Sequence, residues 1–189
     1  NPTHLGLLDP LQTPESSDTG LVLHVPLGAK KKGNQLKTRV YDLKAKKLIE
    51  VSAADMAYKV VAYPDQFTSK MVKGSLVMTP VDSQVVVYDK DRSTAKRPVS
   101  DVDYVLMTSK GLFSISANMI PFVQNNNGNR SMMASKHQEQ AIALAETEAP
   151  LVQSKMDGPN TFEEALGHIA SVKSKVDGVV HSISDKEVI

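Results

Sequence analysis

The sequence contains no cysteine and no tryptophan among its 189 residues. The absence of cysteine excludes disulfide bonds, thiolate zinc sites and a cysteine nucleophile, and it fits a reducing compartment. No apolar run approaches the roughly 20 residues needed to span a bilayer, and the first residues lack the basic and apolar regions of a secretory signal. We therefore expect no membrane partner and a cytoplasmic location.

Aromatic residues make up only 5% of the chain, and the net charge is only +1. A net charge this small does not by itself attract nucleic acid, so any contact with nucleic acid must come from a local concentration of basic groups. The 41% hydrophobic and 23% charged residues are ordinary globular usage, and the chain is long enough to bury a core. Asn1 in place of methionine and the strand-like Glu187–Ile189 lead us to expect a processed chain or an excerpt.

Residues 1–25 are rich in proline, glycine and small polar residues, which predicts an extended, turn-rich segment. From there to residue 112, short β-branched and aromatic runs alternate with turn-forming clusters, which predicts an antiparallel β module over 26–112. Ser52–Asp55 predicts one helical turn inside it. The runs predicted as strands are Leu21–Val25, Thr38–Tyr41, Tyr58–Tyr63, Gly74–Met78, Gln84–Tyr88 and Tyr104–Met107.

Beyond residue 113 the periodicity becomes helical. Ser116 or Asn118 is predicted to cap a short helix that runs through Phe122. One of Asn125–Asn127 is predicted to cap a second helix that ends near Ala143. The segment 113–189 is therefore expected to be mainly helical and incomplete at its C-terminal end.

A third helix is predicted to follow the turn Asp157–Asn160, with Asn160 or Thr161 as its cap and an acidic residue three positions later. We interpret Glu163 and Glu164 as groups that complement the helix N-terminus. Val179–Ile183 alternates like a strand. The order of loop, β module, helices and strand predicts an α+β fold.

The histidines show no spacing typical of metal ligands, so we expect no metal site in this chain. His4, His24, His168 and His181 are interpreted as structural or surface groups. The basic concentration runs from Lys30 to Lys47. It fits either a solvated strand edge that resists aggregation or a surface that attracts a nucleic-acid backbone.

Arg130 lies at a predicted helix start directly after an asparagine turn. The free backbone N–H groups of a helix start favour an anion, and a guanidinium can bind phosphate through two parallel hydrogen bonds. Gln140 lies about three helical turns further on, so the two side chains can share a face with Met133, Lys136 or His137 between them. This face fits either a contact surface for a polar ligand or a partly exposed structural helix.

Two blocks of the sequence resemble the β subunit of bacterial RNA polymerase. Asn1–Val22 contains Pro-Thr-His-Leu-Gly and Gln-Thr-Pro-Glu, and it is similar to the fork segment of that family. Ser114–Val152 contains Ile-Pro-Phe, Asn-Gly-Asn-Arg, Gln-Glu-Gln and Pro-Leu-Val, and it is similar to a second block of the active-centre wall. The residues between them fit the β-rich insertion that the family carries there.

The departures from the family pattern fall inside the two blocks. The family's Glu-Gly-Pro-Asn is Glu15–Asp18 here, and its Asn-Met-Gln-Arg-Gln is Lys136–Gln140. Its acidic Glu-His-Asp-Asp is Gln124–Asn127, so an aspartate linked to substrate selection has no acidic counterpart. These changes are typical of a remote homologue, such as those of large phages with split polymerase subunits acting in an infected bacterial cell.

The resemblance implies roles for individual residues. Arg130 would contact the phosphates of the incoming nucleoside triphosphate. Glu15, Asp18 and Gln140 would face the RNA near its growing end, with Pro14 shaping the loop. The remaining implied contacts to nucleotide or RNA are Asn127, Asn129 and Lys136.

The resemblance also implies partners and a cofactor. The Mg²⁺ ions of nucleotidyl transfer would be bound by a β′-type subunit, so the chain alone would be inactive. Other polymerase subunits, template DNA, nascent RNA and nucleoside triphosphate would complete the assembly. Two alternatives are a non-enzymatic module that binds nucleic acid or a protein partner, and a β module that docks accessory factors.

Overall fold

The computed structural model describes residues 4–72, 74–89, 91, 93–156, 160–172 and 174–189. Asn1–Thr3 of the first motif and residues 157–159 of the predicted turn lie outside the described residues. The chain divides into two compact units, Asn1–Ala149 and Pro150–Ile189. The predicted boundaries at residues 25 and 112 remain predictions.

The first unit contains all the described strands and three of the helices. The strands are β1 (Ala29–Lys32), β2 (Gln35–Asp42), β3 (Lys47–Ser52), β4 (Val61–Ala62), β5 (Phe67–Val72), β6 (Ser75–Pro80), β7 (Gln84–Tyr88), β8 (Thr94–Pro98) and β9 (Tyr104–Leu106). The helices are α1 (Ala53–Met56), α2 (Ile115–Asn118) and α3 (Gly128–Glu139), with α4 (Phe162–Ala170) in the second unit.

In the described part of the chain, seven strands form one sheet in the order β1-β2-β9-β4-β7-β8, and β3 pairs with β2. The pairs are antiparallel except β4 with β9, which run parallel. Strands β5 and β6 form a separate hairpin. Tight turns join β1 to β2 at Gly33 and β5 to β6 at Gly74, where φ is 61° and 78°. The predicted α+β class with a mainly antiparallel β module is confirmed.

Two apolar clusters hold the sheet, one on each face of β2. Tyr41 joins a cluster with residues from β4 to β7 and β9, and Val40 joins a cluster with Val51, Met56 and Leu7. Leu7 is only 2% exposed, so the N-terminal segment contributes to the second cluster. Because successive side chains on a strand point to opposite faces, β2 lies between two cores along its second half.

Several predicted strands are confirmed, namely those that overlap β2, β6, β7 and β9. The strand predicted at Leu21–Val25 is wrong, because the amides of Leu21 and Val22 both donate to the Asp18 carbonyl and close a turn. The strand predicted at Tyr58–Tyr63 is reduced to Val61–Ala62.

The predicted helices are present, but the cap of α2 and the ends of α2 and α3 differ from the predictions. Ser114, not Ser116 or Asn118, caps the short helix α2, with its side chain accepting from the Ala117 amide at 3.3 Å. Asn127 caps α3, which ends at Glu139. Ser52 caps the single turn α1 through a capping box with Asp55.

The second unit consists of α4 and short loops. The Thr161 side chain accepts from the Glu164 amide at 3.1 Å and caps α4, as predicted. The Glu163 carboxylate accepts from the Ser154 amide at 3.0 Å, which ties the preceding loop to the helix. The strand predicted at Val179–Ile183 is wrong: the described residues there form only an isolated bridge between Ile183 and Val188.

Candidate functional site

The N-terminus of α3 is held by the asparagine turn in front of it. The Asn127 side chain accepts from the Asn129 amide at 3.0 Å, and the Asn127 carbonyl accepts the first helical bond from Ser131. The Asn126 side chain donates to the Phe122 carbonyl at 3.1 Å, and Phe122 itself has a left-handed φ of 52°. Sequence reasoning placed this cap correctly, because asparagine accepts N-terminal amides well.

Arg130 lies in the first turn of α3 and is exposed. Its Nη1 lies 3.4 Å from the sulfur of Met133, the residue one turn later. Among the described residues, no carboxylate lies within ion-pair distance of this guanidinium. The group is therefore positioned by its own helix and keeps its charge available to an anion.

Two backbone donors lie beside Arg130. Because the first helical bond runs from Ser131 to Asn127, the amides of Gly128, Asn129 and Arg130 have no acceptor one turn back. The Asn127 side chain satisfies Asn129, which leaves the amides of Gly128 and Arg130. Together with the guanidinium they form a set of donors typical of phosphate binding.

The buried face of α3 consists of small hydroxyl residues. Ser131 and Ser135 are 2% and 0% exposed, and their hydroxyls donate back to the carbonyls of Asn127 and Met132. Small side chains at this spacing let α2 pack closely against α3. The close packing fixes the opposite face, which carries Arg130, toward solvent.

Lys136 and Gln140 lie at the other end of α3. The Lys136 ammonium is 2.7 Å from the Glu139 carboxylate, so it is already paired within the helix. Gln140 is the exposed C-cap residue, and its amide donates to the Lys136 carbonyl. At a rise of 1.5 Å per residue, Gln140 lies about 15 Å along the helix from Arg130. The two residues can contact different parts of one extended ligand, and a single phosphate cannot reach both.

The loop that carries Pro14, Glu15 and Asp18 is closed by two threonines. The Thr13 hydroxyl accepts from the Gly20 amide at 2.8 Å, and the Thr19 hydroxyl lies 2.7 Å from the Pro14 carbonyl, to which it donates. Both carboxylates are exposed. Among the described residues, neither carboxylate forms an ion pair with Arg130.

A cavity joins this loop to α3. It has a volume of about 530 Å³, and Thr13, Thr19 and Gly20 line it on one side while Met132 of α3 lines it on another. Tyr63 and Tyr88 of the β module also line it. The structure thus brings the loop of residues 13–20, the β module and α3 together around one cavity.

Asp9 is a residue that sequence reasoning missed. It is 1% exposed, and its two carboxylate oxygens accept from the amides of Leu11 at 2.7 Å and Ser114 at 2.6 Å. Its own amide donates to the His24 carbonyl. An aspartate directly before a proline is a common turn former, and that was the available signal. Asp9 attaches the N-terminal segment to the cap of α2, 105 residues later.

Glu139 provides a second attachment that sequence reasoning missed. The hydrogen bond from Lys136 holds the pKa of this carboxyl below its ordinary value of 4.5, and a hydrogen bond from Gln12 acts in the same direction. Gln12 is buried, at 5% exposure. The C-terminal turn of α3 is therefore held against the segment that precedes Pro14.

Within the described ranges, no group of three or more His, Cys, Asp or Glu side chains could hold a metal ion. No helix among the described residues is long and apolar enough to cross a bilayer.

The described part of the chain thus combines a mixed sheet with capped helices, and α3 begins with an asparagine turn and an exposed arginine. No family model matches the chain. Curated proteins named DNA-directed RNA polymerase subunit beta match it along essentially its whole length. The protein of Anaplasma marginale is 30% identical over 197 aligned positions, which cover 100% of this chain and 13% of that protein.

Two further relatives carry the same name. The protein of Mycoplasmopsis pulmonis is 28% identical and that of Clostridium tetani is 27% identical, each covering 98% of this chain. The chain spans 13–15% of the length of the curated relatives it matches. The resemblance to the RNA polymerase β subunit is confirmed over the full chain.

Proposed function

We propose that this chain is a segment of the β-type subunit of a DNA-directed RNA polymerase, where it positions the incoming nucleoside triphosphate and the RNA–DNA hybrid for nucleotidyl transfer. The full-length similarity to β subunits supports this assignment. The observation that carries the positioning role is Arg130, an exposed guanidinium beside two backbone amides that have no helical acceptor.

In this proposal Arg130 binds the triphosphate and offsets charge that develops on it during transfer. A preformed cation contributes most where water is excluded, because the field of a charge is then weakly screened. Asn127 and Asn129 hold the turn that presents the guanidinium. Glu15, Asp18 and Gln140 face the RNA, and Pro14 shapes the loop from which the two carboxylates project.

The Mg²⁺ ions that such transfer requires would be held by a β′-type partner, and they would supply alignment of the 3′ hydroxyl and the leaving group. Lys136 would have to leave Glu139 before it could contact RNA, so we assign it a weaker contact than Arg130. Other polymerase subunits and the template DNA complete the proposed assembly. Its site of action would be the cytoplasm of a bacterial or phage-infected cell, since the relatives compared are bacterial proteins.

The test is substitution of Arg130 in the assembled polymerase. R130A should lower kcat/KM for nucleotide addition by on the order of 100-fold, the usual effect of removing one donor to a developing charge. R130K should recover only part of the loss, because an ammonium keeps the charge and cannot form the two parallel bonds. The measurement is single-nucleotide addition on a preassembled RNA–DNA scaffold.

A matched control is Lys96→Ala, which removes an exposed cation from β8. It should leave nucleotide addition within about twofold of the unmodified enzyme. Assembly should be unchanged in all three variants, since Arg130 is exposed and has no ion-pair partner among the described residues. Unchanged elongation kinetics in R130A would exclude the positioning role and favour the non-enzymatic alternative.

A further inference from the structure

The basic residues between Lys30 and Lys47 do not form one surface in the fold. The Lys44 ammonium pairs with Asp103 at 2.6 Å, and Lys46 occupies a turn with φ of 51°. Lys47 lies opposite Asp42 at the far end of the β2–β3 pair. Five other cations remain. Lys31 pairs with Leu36 and points to the opposite side of β1 from its neighbours, and the other four lie together elsewhere on the sheet.

These four cations lie on β1 and β2 and share one face of the sheet. Lys30 lies directly opposite Lys37 across the β1–β2 pair, and Arg39 lies opposite Glu50 across the β2–β3 pair. Lys32 is two residues from Lys30 and therefore points to the same side. We call this set, Lys30, Lys32, Lys37 and Arg39, the basic strand face.

Two carboxylates, Glu50 and Asp55, accompany the basic strand face. Hydrogen bonds from Ser52 hold the pKa of Asp55 below its ordinary value, and the charge of Lys37 acts in the same direction. The Glu50 carboxylate lies 3.3 Å from the Lys32 ammonium and 4.0 Å from the Arg39 Nε. The hydrogen bond and charge of Lys32 hold the pKa of Glu50 below its ordinary value, and the charges of Arg39 and Lys30 act in the same direction. Among the described residues, two anions against four cations leave a local excess of positive charge. The Lys32 and Arg39 side chains are 70% and 61% exposed.

Edge protection does not account for this arrangement. Charge on an edge strand discourages pairing with another chain, and β1 is an edge strand of the sheet. Lys37 and Arg39, however, lie on β2, which has neighbours on both sides. Like charges directly opposite each other, such as Lys30 and Lys37, destabilise a sheet. An anionic ligand that contacts both would offset this repulsion.

The chemistry of the face selects the kind of anion. Alternate residues on a strand lie roughly 6.8 Å apart, so the four cations can contact several phosphates of one extended backbone. The face presents Gln35 and Ser52 beside its cations. Tyr41, further along the same side of β2, is buried, so it offers no platform for stacked single-stranded bases. We propose that the basic strand face binds the phosphate backbone of a nucleic-acid duplex without reading its sequence.

The experiment measures binding of the 189-residue chain to a labelled 20-base-pair DNA duplex by fluorescence anisotropy over a series of salt concentrations. The variant K30Q/K32Q/K37Q removes three of the four cations. It should weaken binding at least tenfold at about 50 mM salt and reduce the slope of log K against log salt by about 2 to 3, since each phosphate contact contributes roughly 0.9.

The matched control K70Q/K96Q/K155Q removes the same charge from exposed lysines elsewhere. It should change affinity less than threefold and leave the salt slope unaltered. Glu50→Gln should tighten binding, because it frees Lys32 and Arg39. The triple variant should melt at or above the temperature of the unmodified chain, because it removes the repulsion between residues 30 and 37.

Equal weakening by the two triple variants would overturn the proposal, as would absence of duplex binding by the unmodified chain at 50 mM salt. Binding to poly-glutamate in place of the duplex would overturn it in favour of an acidic protein partner. None of these substitutions changes Arg130, so the outcome is independent of the role proposed for that residue.

Discussion

At the scale of single residues, Asp9 shows how one buried carboxylate organises the region around the candidate site. Its oxygens satisfy the amides of Leu11, Gln12 and Ser114, and Ser114 in turn caps α2. Because α2 packs against α3, the position of Arg130 depends on this contact. A charged acceptor suits three amide donors better than a neutral group does.

Asp9→Asn should destabilise the chain by about 2 to 3 kcal/mol, because the introduced amide would turn an N–H group toward one of the donors and leave a buried group unsatisfied. Urea unfolding followed by circular dichroism measures the change. Asp82→Asn, at an exposed loop position, is the matched control and should change the free energy of unfolding by less than about 0.5 kcal/mol. Equal effects of the two substitutions would show that Asp9 is not the attachment described above.

At the scale of the elements, the sequence predicts central strands better than edge strands. Gln84–Tyr88 contains three consecutive valines, and its predicted bounds match those of β7. The edge strands Ala29–Lys32 and Thr94–Pro98 were not predicted. They are largely polar, so no hydrophobic pattern marks them, and they form by hydrogen bonding to a neighbouring strand. The prediction of a strand at Leu21–Val25 was wrong although this run is apolar, because its first residues close a turn.

Asp103 joins three elements near the start of β9. Its carboxylate accepts from Lys44 in the β2–β3 turn at 2.6 Å and from the Val60 amide before β4 at 3.2 Å. Burial raises its pKa, but the bonds from Lys44 and Val60 and the charge of Lys59 outweigh burial and hold the pKa below its ordinary value of 3.8. The ionised carboxylate therefore stabilises the fold.

The pH dependence follows from that direction. The pKa of Asp103 is lower in the folded chain than in the unfolded chain. Its contribution to the free energy of unfolding is therefore fully present above pH 3.8 and is lost as the pH falls through the folded pKa. Asp103→Asn should therefore lower stability at pH 6 and flatten the fall in stability below about pH 4. Thermal melting from pH 2.5 to 7 measures both effects. A parallel curve for the variant at every pH would contradict the assignment.

At the scale of the whole molecule, the candidate site depends on parts that are distant in sequence. The two resembling blocks predict which residues matter, and Asn127 and Arg130 lie at the helix start where the pattern placed them. Their support by Asp9 and Gln12 was not predictable, because it requires contacts across 105 residues or more that no local pattern encodes. The basic strand face was likewise hidden, since its members are separated in sequence and meet only through strand register.

The central claim is that this chain acts within an RNA polymerase of the β/β′ type. The most direct measurement is affinity purification of the tagged protein that carries it from its native host at moderate salt, followed by mass spectrometry of the bound proteins. We predict recovery of a partner with an Asp-Phe-Asp-Gly-Asp type metal-binding sequence. Recovery of the protein alone, or only with nucleic acid, would contradict the account and favour the non-enzymatic binding module.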